Sequence, residues 1–507
     1  MPNIKDQVKR LVKSTTIYGL GMVLTSFINL LLLPFLTAYL TPKDYGSFSI
    51  LLLLSLALNY IFMLGMGTSI GLCYFDNSDA KHKSKVIFNA ILILILSSTI
   101  MLIVGLPFTK EFSLFLLNDA RYVYPVFLTF ISTACAMITI PFMLRLQFEE
   151  REAEFVAKTF ASLIISVIGN IILIIVFKRG LNGLAEGLLI TKIAALLIFG
   201  FSSIKDLEFI PEFNIQKKLV KLGIPMIPSF LALYVLQQGN IYILKSFTSL
   251  ELAGIFSVGM AFGRGISLIT FAFTTAWTPF FLSFANNKDE AKILFGRIST
   301  YYLYTIGFIS ILFFIFAKPV VYLFTQDSFH EAYKVIGLVT TGQMLIGIFA
   351  LLLPPIYFAK KVGQLTSLQI IASAGSVVSA MILTPIIGIV GAGISFALGY
   401  FLMALLLYIW NITAGKKHLV IHYEWRRVLP FSIFYIVVAT IIFIVEDLFT
   451  IPVQLVLGLF LIIPSVILII FLLSPSERNI LVSIIKNVLM GKTITYGNLI
   501  NRIREKN

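Results

Sequence analysis

Lys192 and Arg264 are the residues of this chain best placed to do chemistry. Each lies inside a long apolar stretch, where a fixed charge is expensive. The chemistry such charges serve in hydrocarbon is binding: they face a wet cavity and mark a substrate path, and a cationic cavity takes an anionic cargo. A guanidinium also suits a diphosphate through its paired donors. The competing reading is structural. Lys192 then pairs with a carboxylate or carbonyl in the bundle or snorkels, and Arg264 sits beside the packing seam made by Gly259 and Gly263, a G-x-x-x-G spacing. Glu186, six residues before Lys192, falls on another face of the same helix. It reads as a water-linked neighbour of Lys192 and as the candidate site for a coupling proton or sodium ion. Gln237, Gln238 and Asn240 cluster in one span and are candidate substrate-binding amides, whereas Asn29, Asn59, Asn89, Asn170 and Gln343 stand alone and read as interhelical glue.

No catalytic or metal constellation accompanies these residues. His82, His330, His418 and His422 fall outside the apolar stretches, and Cys73 and Cys135 have no ligand spacing. Asp119 with Arg121, and Asp327 with Glu331, are the acidic clusters of the short outer loops and read as solvated loop charge. Gly491-Lys492-Thr493 resembles the end of a phosphate-binding loop, but position 486 is Lys where that loop requires Gly. A protein without a cofactor is expected.

The elements that position Lys192 and Arg264 are membrane helices. Hydrophobic residues make up 58% of the 507 and charged ones only 12%, about half the charged share of a soluble domain. Fourteen spans are expected, at 15–40, 46–71, 86–108, 122–144, 159–177, 183–202, 222–244, 252–280, 299–317, 335–359, 367–387, 391–413, 428–445 and 452–473. The first is too long for a signal-peptide core and reads as a span. With residues 1–13 in the cytoplasm, about 29 Lys and Arg fall on the cytoplasmic side against about 8 outside. Both termini are therefore expected inside, and the net charge of +15 reflects basic loops rather than a nucleic-acid partner. Beyond the last span, residues 474–507 read as a basic tail with an interfacial amphipathic helix, its apolar face formed by Ile480, Ile484, Ile485, Val488 and Leu489.

The chain also repeats. Tyr45-Gly46-Ser47-Phe48-Ser49-Ile50 matches Ala253-Gly254-Ile255-Phe256-Ser257-Val258 at an offset of 208, and Gly180-Leu181-Asn182-Gly183-Leu184 matches Gly388-Ile389-Val390-Gly391-Ala392 at the same offset. Both matches open spans on the outer side. A duplicated six-helix unit follows, in parallel orientation because six is even. The expected layout is a first lobe at 14–202, a cytoplasmic linker at 203–221, a second lobe at 222–413 and two added helices within 428–473. Shifted by 208, Lys192 meets Tyr400 and Arg264 meets Leu56, so each charge specialises one lobe. Lys192 lies nine residues past Gly183 and Arg264 ten past Gly254, which puts both about 15 Å deep, where they face each other across a central cleft.

Ser14-Thr15-Thr16-Ile17-Tyr18-Gly19, then Leu40-Thr41-Pro42-Lys43-Asp44-Tyr45-Gly46, Gly223-Ile224-Pro225-Met226-Ile227-Pro228 and Ala276-Trp277-Thr278-Pro279 resemble polysaccharide-export flippases of the Wzx type. The resemblance covers about residues 10–410. It implies the two-lobed, all-α, fourteen-helix fold of multidrug and oligosaccharidyl-lipid exporters. It also implies a bacterial inner-membrane flippase for undecaprenyl-diphosphate-linked O-antigen or capsule repeat units, not an enzyme, with membrane lipids, a polysaccharide polymerase and a chain-length regulator as partners. Where relatives carry an acidic–basic pair late in the seventh span, this chain has Gly239-Asn240-Ile241. Two alternatives stay open: a cation-coupled drug exporter of the same fold, which needs a first-lobe carboxylate that only Glu186 offers, and a membrane polymerase or glycosyltransferase, which needs acidic groups in a large outer loop.

Overall fold

The computed structural model describes residues 21, 25, 28, 31–77, 79–203, 207–284, 287–448, 450–475, 477 and 478. The basic N-terminus, most of the first expected span with Asn29, and the amphipathic tail helix lie outside them. The described residues are helices and their connections, with no strand among them. In hydrocarbon every backbone group must be satisfied within its own segment, and helices do this.

A helical stretch at 31–39 leads to α1 (Pro42–Phe62), α2 (Met66–Tyr74), α3 (Ala80–Gly105), α4 (Thr109–Leu117), α5 (Val123–Phe148), α6 (Glu152–Asn170) and α7 (Gly180–Ser203). The amphipathic α8 (Phe213–Gly223) precedes α9 (Ile227–Phe247), α10 (Leu250–Gly263), α11 (Ser267–Ser283), α12 (Lys288–Phe324), α13 (Tyr333–Leu351), α14 (Pro354–Phe358), α15 (Gln364–Ile412), α16 (Trp425–Leu448) and α17 (Ile451–Leu472). Twelve helical stretches among the described residues are long and apolar enough to cross a membrane. The 49-residue α15 is one of them, and it breaks at Ile387 and Gly388 into two. With that break the described residues account for thirteen of the fourteen expected spans, and the stretch at 31–39 is the end of the first.

The repeat is written into the backbone. Thr41 caps α1, its hydroxyl accepting from the Asp44 N–H at 3.1 Å, and Ser249 caps α10, accepting from the Leu252 N–H at 3.2 Å. These caps are 208 residues apart. Gly180 and Gly388, also 208 apart, both adopt left-handed φ, +52° and +57°. The crossing of α1 and α10 is reciprocal: a Cβ on Gly46 would strike the Leu250 carbonyl oxygen, and one on Gly254 would strike the Pro42 carbonyl oxygen. Pro42 and Leu250 are themselves repeat partners, so the pseudo-two-fold axis passes through this crossing. Only glycine lets the two backbones touch there.

The chain divides into two compact units. The first comprises residues 1–288 and 317–420, and the second residues 289–316 with 421–507. Inside the second unit, the Ser310 and Tyr435 hydroxyls lie 2.8 Å apart, Tyr304 packs on Phe431 at 4.9 Å, and the His422 N–H donates to the Lys292 carbonyl oxygen at 2.9 Å. Glu477 gathers the Tyr301 hydroxyl at 2.5 Å, Arg427 Nη2 at 2.9 Å and the Ser474 N–H at 2.6 Å.

Candidate functional site

Arg264 sits where α10 stops. The glycine face of α10 lies on α13: a Cβ on Gly259 would come 2.6 Å from the Ala332 carbonyl oxygen, and one on Gly263 2.7 Å from the Val339 Cβ. The packing reading of these glycines is therefore correct, and it orients the arginine. One residue on, Arg264 points about 100° away from that seam and opens a three-residue 3₁₀ turn, Arg264–Ile266, before α11 resumes. Its Nη2 donates to the Gln237 carbonyl oxygen and to the Gln238 side-chain oxygen, both at 3.2 Å. Both acceptors are neutral, and among the described residues no carboxylate pairs with Arg264.

Around this contact the first unit assembles a polar centre. Gly399 lets α15 close on α9, because a Cβ there would sit 2.6 Å from Leu236 Cδ1. The next residue, Tyr400, is buried, and its hydroxyl faces Gln237 and the Arg264 charge without a hydrogen bond of normal geometry. Asn240 is buried one turn along α9, and its amide nitrogen has no partner among the described residues. Gln237 is exposed in mid-helix, and Gln238, Arg264, Tyr60 and Tyr234 are half-buried. Polar groups that stay accessible midway along long apolar helices line a hydrated space.

Lys192 lies on the interior side of α7. Ile190, Ile193, Leu197 and Phe201 form the exposed stripe of that helix. At 100° per residue Lys192 stands roughly opposite them, on the side of the buried Leu181, Ala185 and Phe199. It has no hydrogen-bond or ion-pair partner among the described residues, yet remains half-exposed. No contact joins it to Arg264. The structure thus brings Arg264, Gln237 and Gln238 together, sets Asn240 beside them, and leaves Lys192 as a separate unpaired cation.

Glu186 has two direct partners, and neither is Lys192. Its carboxylate accepts from Arg179 at 2.6 Å and from the Tyr124 hydroxyl at 3.0 Å. Arg179 lies just before α7, next to the left-handed Gly180, and reaches Glu186 from that turn. Asn89 is glue, as its isolation suggests: it donates to the Lys85 and Ile210 carbonyl oxygens and accepts from the Glu212 N–H at 2.8 Å. Asp119 is tied to Arg121 at 2.7 Å, whose hydrogen bonds hold its carboxyl at about 2, and Asp327 lies 3.6 Å from His330.

Four polar side chains of the first unit escape sequence reasoning, three of them in this centre. Tyr400 is flagged only as the repeat counterpart of Lys192. Tyr60 and Tyr234 carry no signal, because rings in membrane helices are common. Lys245 ends α9 with its ammonium buried, donating to Asn118 Oδ1 at 2.9 Å and to the Phe115 carbonyl oxygen at 3.4 Å. That contact ties the end of α9 to the end of α4 and the residue after it.

Residues 11–285, more than half of the chain, match the family model described as "polysaccharide biosynthesis protein". No curated protein matches the chain. Among solved structures, the lipid II flippase MurJ in an inward closed conformation superposes with a TM-score of 0.65 at 15% identity, covering 90% of this chain and 98% of MurJ. An inward-facing multidrug resistance MATE family transporter of the MOP superfamily gives 0.64 at 15% identity, covering 78% and 96%. An outward-facing MATE family transporter gives 0.56 at 14%, covering 81% and 96%. The chain is therefore a multi-pass membrane protein with the MATE- and MurJ-like fold, and it belongs to the polysaccharide biosynthesis protein family.

Proposed function

We propose that this protein is a flippase that carries an undecaprenyl-diphosphate-linked oligosaccharide across the bacterial inner membrane by alternating access, for O-antigen, capsule or exopolysaccharide assembly. One observation carries the reading: among the described residues the Arg264 guanidinium, midway along its span, is held only by neutral amide oxygens. A charge so placed is stabilised far more by an anion than by dipoles, and a diphosphate supplies one with matching paired acceptors. Lys192 adds a second unpaired cation on the interior face of the first lobe. Gln237, Gln238 and Asn240 offer the donors and acceptors that sugar hydroxyls use, while the lipid tail stays in the bilayer. No bond is made or broken, so no catalytic residue is assigned. Glu186 stays outside this reading because its carboxylate is already occupied, and the ion gradient that drives transport is assigned to no residue.

A cation exporter is disfavoured by the same charges, which repel its cargo. The test is surface display in cells carrying Arg264→Gln, Lys192→Gln or both, with membrane insertion checked. Loss of surface polysaccharide with lipid-linked repeat units accumulating inside is expected for Arg264→Gln. Normal display by the double variant overturns the proposal.

A further inference from the structure

One helical turn from the Arg264 contact lies a group of rings drawn from both lobes. Tyr60 of α1 stacks on Phe230 of α9 with centroids 6.0 Å apart and planes 21° from parallel, and it tilts against Tyr234 at 5.8 Å. Tyr234 is fixed across the lobes by its hydroxyl, which donates to the Leu53 carbonyl oxygen at 2.8 Å. Tyr60 and Phe230 are half-buried, and the Tyr60 hydroxyl makes no hydrogen bond among the described residues. It lies within electrostatic reach of Tyr400, which in turn faces Gln237 and Arg264. The rings are therefore linked to the guanidinium through Tyr400, and Tyr234 lies one turn from Gln237 on the same helix.

Their order along the membrane normal follows from the chain. Tyr60 is four residues beyond Leu56, the repeat counterpart of Arg264, and Tyr234 is three residues before Gln237. Helices α1 and α9 run in opposite directions, so both displacements point away from the α1–α10 crossing, by about 5 Å. That step matches the separation between a diphosphate and the sugar ring attached to it. A pyranose presents an apolar face of C–H bonds and a polar rim of hydroxyls, and a tyrosine ring with a free hydroxyl offers the complement to both.

We propose that Tyr60, supported by Phe230 and held in place by Tyr234, is a stacking platform for the first pyranose of the cargo, one turn from the diphosphate at Arg264. This rests on the flippase reading. It assigns sugar recognition to rings, which tolerate many pyranoses, and leaves the finer choice to the neighbouring amides.

The test measures binding of two probes to the full chain in lipid nanodiscs: undecaprenyl diphosphate, and undecaprenyl diphosphate carrying one N-acetylglucosamine. The wild type is expected to hold the sugar-bearing probe more tightly. Tyr60→Leu is expected to remove that preference, about a five- to tenfold loss for the sugar-bearing probe alone, while Tyr60→Phe keeps most of it. Arg264→Gln is expected to weaken both probes alike. Phe230→Leu repeats the measurement should Tyr60→Leu not fold. An unchanged preference in these leucine variants, or a parallel loss for both probes as a mere seal would give, overturns the platform and leaves the flippase reading standing. Failure of the wild type to bind either probe overturns both.

Discussion

Substituting Gly46 and Gly254 tests the pseudo-symmetric crossing most directly. A methyl at Gly46 lands on the Leu250 carbonyl oxygen, and a methyl at Gly254 lands on the Pro42 carbonyl oxygen. Neither obstacle is the end of a flexible side chain, so α1 and α10 must separate by about an ångström. Overpacking of this kind costs about 1–3 kcal/mol. Because the two sites are related by the pseudo-two-fold axis, Gly46→Ala and Gly254→Ala should cost nearly the same. The double variant should cost less than their sum, with a coupling on the order of 1 kcal/mol, because helices already parted for one methyl accommodate the second. Reversible unfolding in mixed micelles at increasing dodecyl sulfate measures all three. Additive costs, or one neutral single variant, would refute the reciprocal backbone contact. If the two lobes part here during transport, the single variants will also react faster with a thiol probe placed at residue 43.

Other substitutions isolate other features. Ala at Gly180 or Gly388 meets nothing within 4 Å, so its cost is purely the left-handed backbone, about 1–2 kcal/mol at each position and equal at both by the same unfolding assay. Lys245→Met leaves Asn118 Oδ1 without its donor; losing a charge-assisted hydrogen bond of about 1.5–3 kcal/mol should raise amide exchange across residues 115–119 at least tenfold. For Glu477, burial opposes the charge, but Arg427, Tyr301 and Ser474 outweigh it and hold the carboxyl at about 2, below its ordinary 4.5. A depressed carboxyl stabilises fully above its unfolded value and loses that contribution as pH falls through its folded one. Wild-type melting temperature should therefore drop between about pH 4.5 and 2 relative to Glu477→Gln, and parallel pH curves would contradict the assignment.

Much of the architecture was legible because it is governed by hydropathy and local rules. Span positions follow from apolar run length, and the repeat follows from two glycine-bearing motifs whose backbone role the caps at Thr41 and Ser249 make explicit. Arg264 was legible as a charge in the wrong solvent, and its flanking glycines as a packing seam. Its partners were not, because Gln237 and Gln238 reach it only once α9 and α10 pack. The grouping of 289–316 with 421–507 was equally hidden: the Ser310–Tyr435 and Tyr304–Phe431 contacts join segments more than a hundred residues apart. The partners of Glu186 were not legible: Tyr124 is 62 residues away, and Arg179 lies before α7, where the left-handed turn at Gly180 sets its direction.

Duplication began with two equivalent positions, 192 and 400, and they have diverged to a free ammonium and an enclosed phenol. In the carrier proposed above, cargo in the middle of the molecule would meet unlike walls on its left and right. Turned half a revolution about the membrane normal, it would exchange those contacts, so the divergence of 192 and 400 favours one rotational setting where a symmetric ancestor would have allowed two.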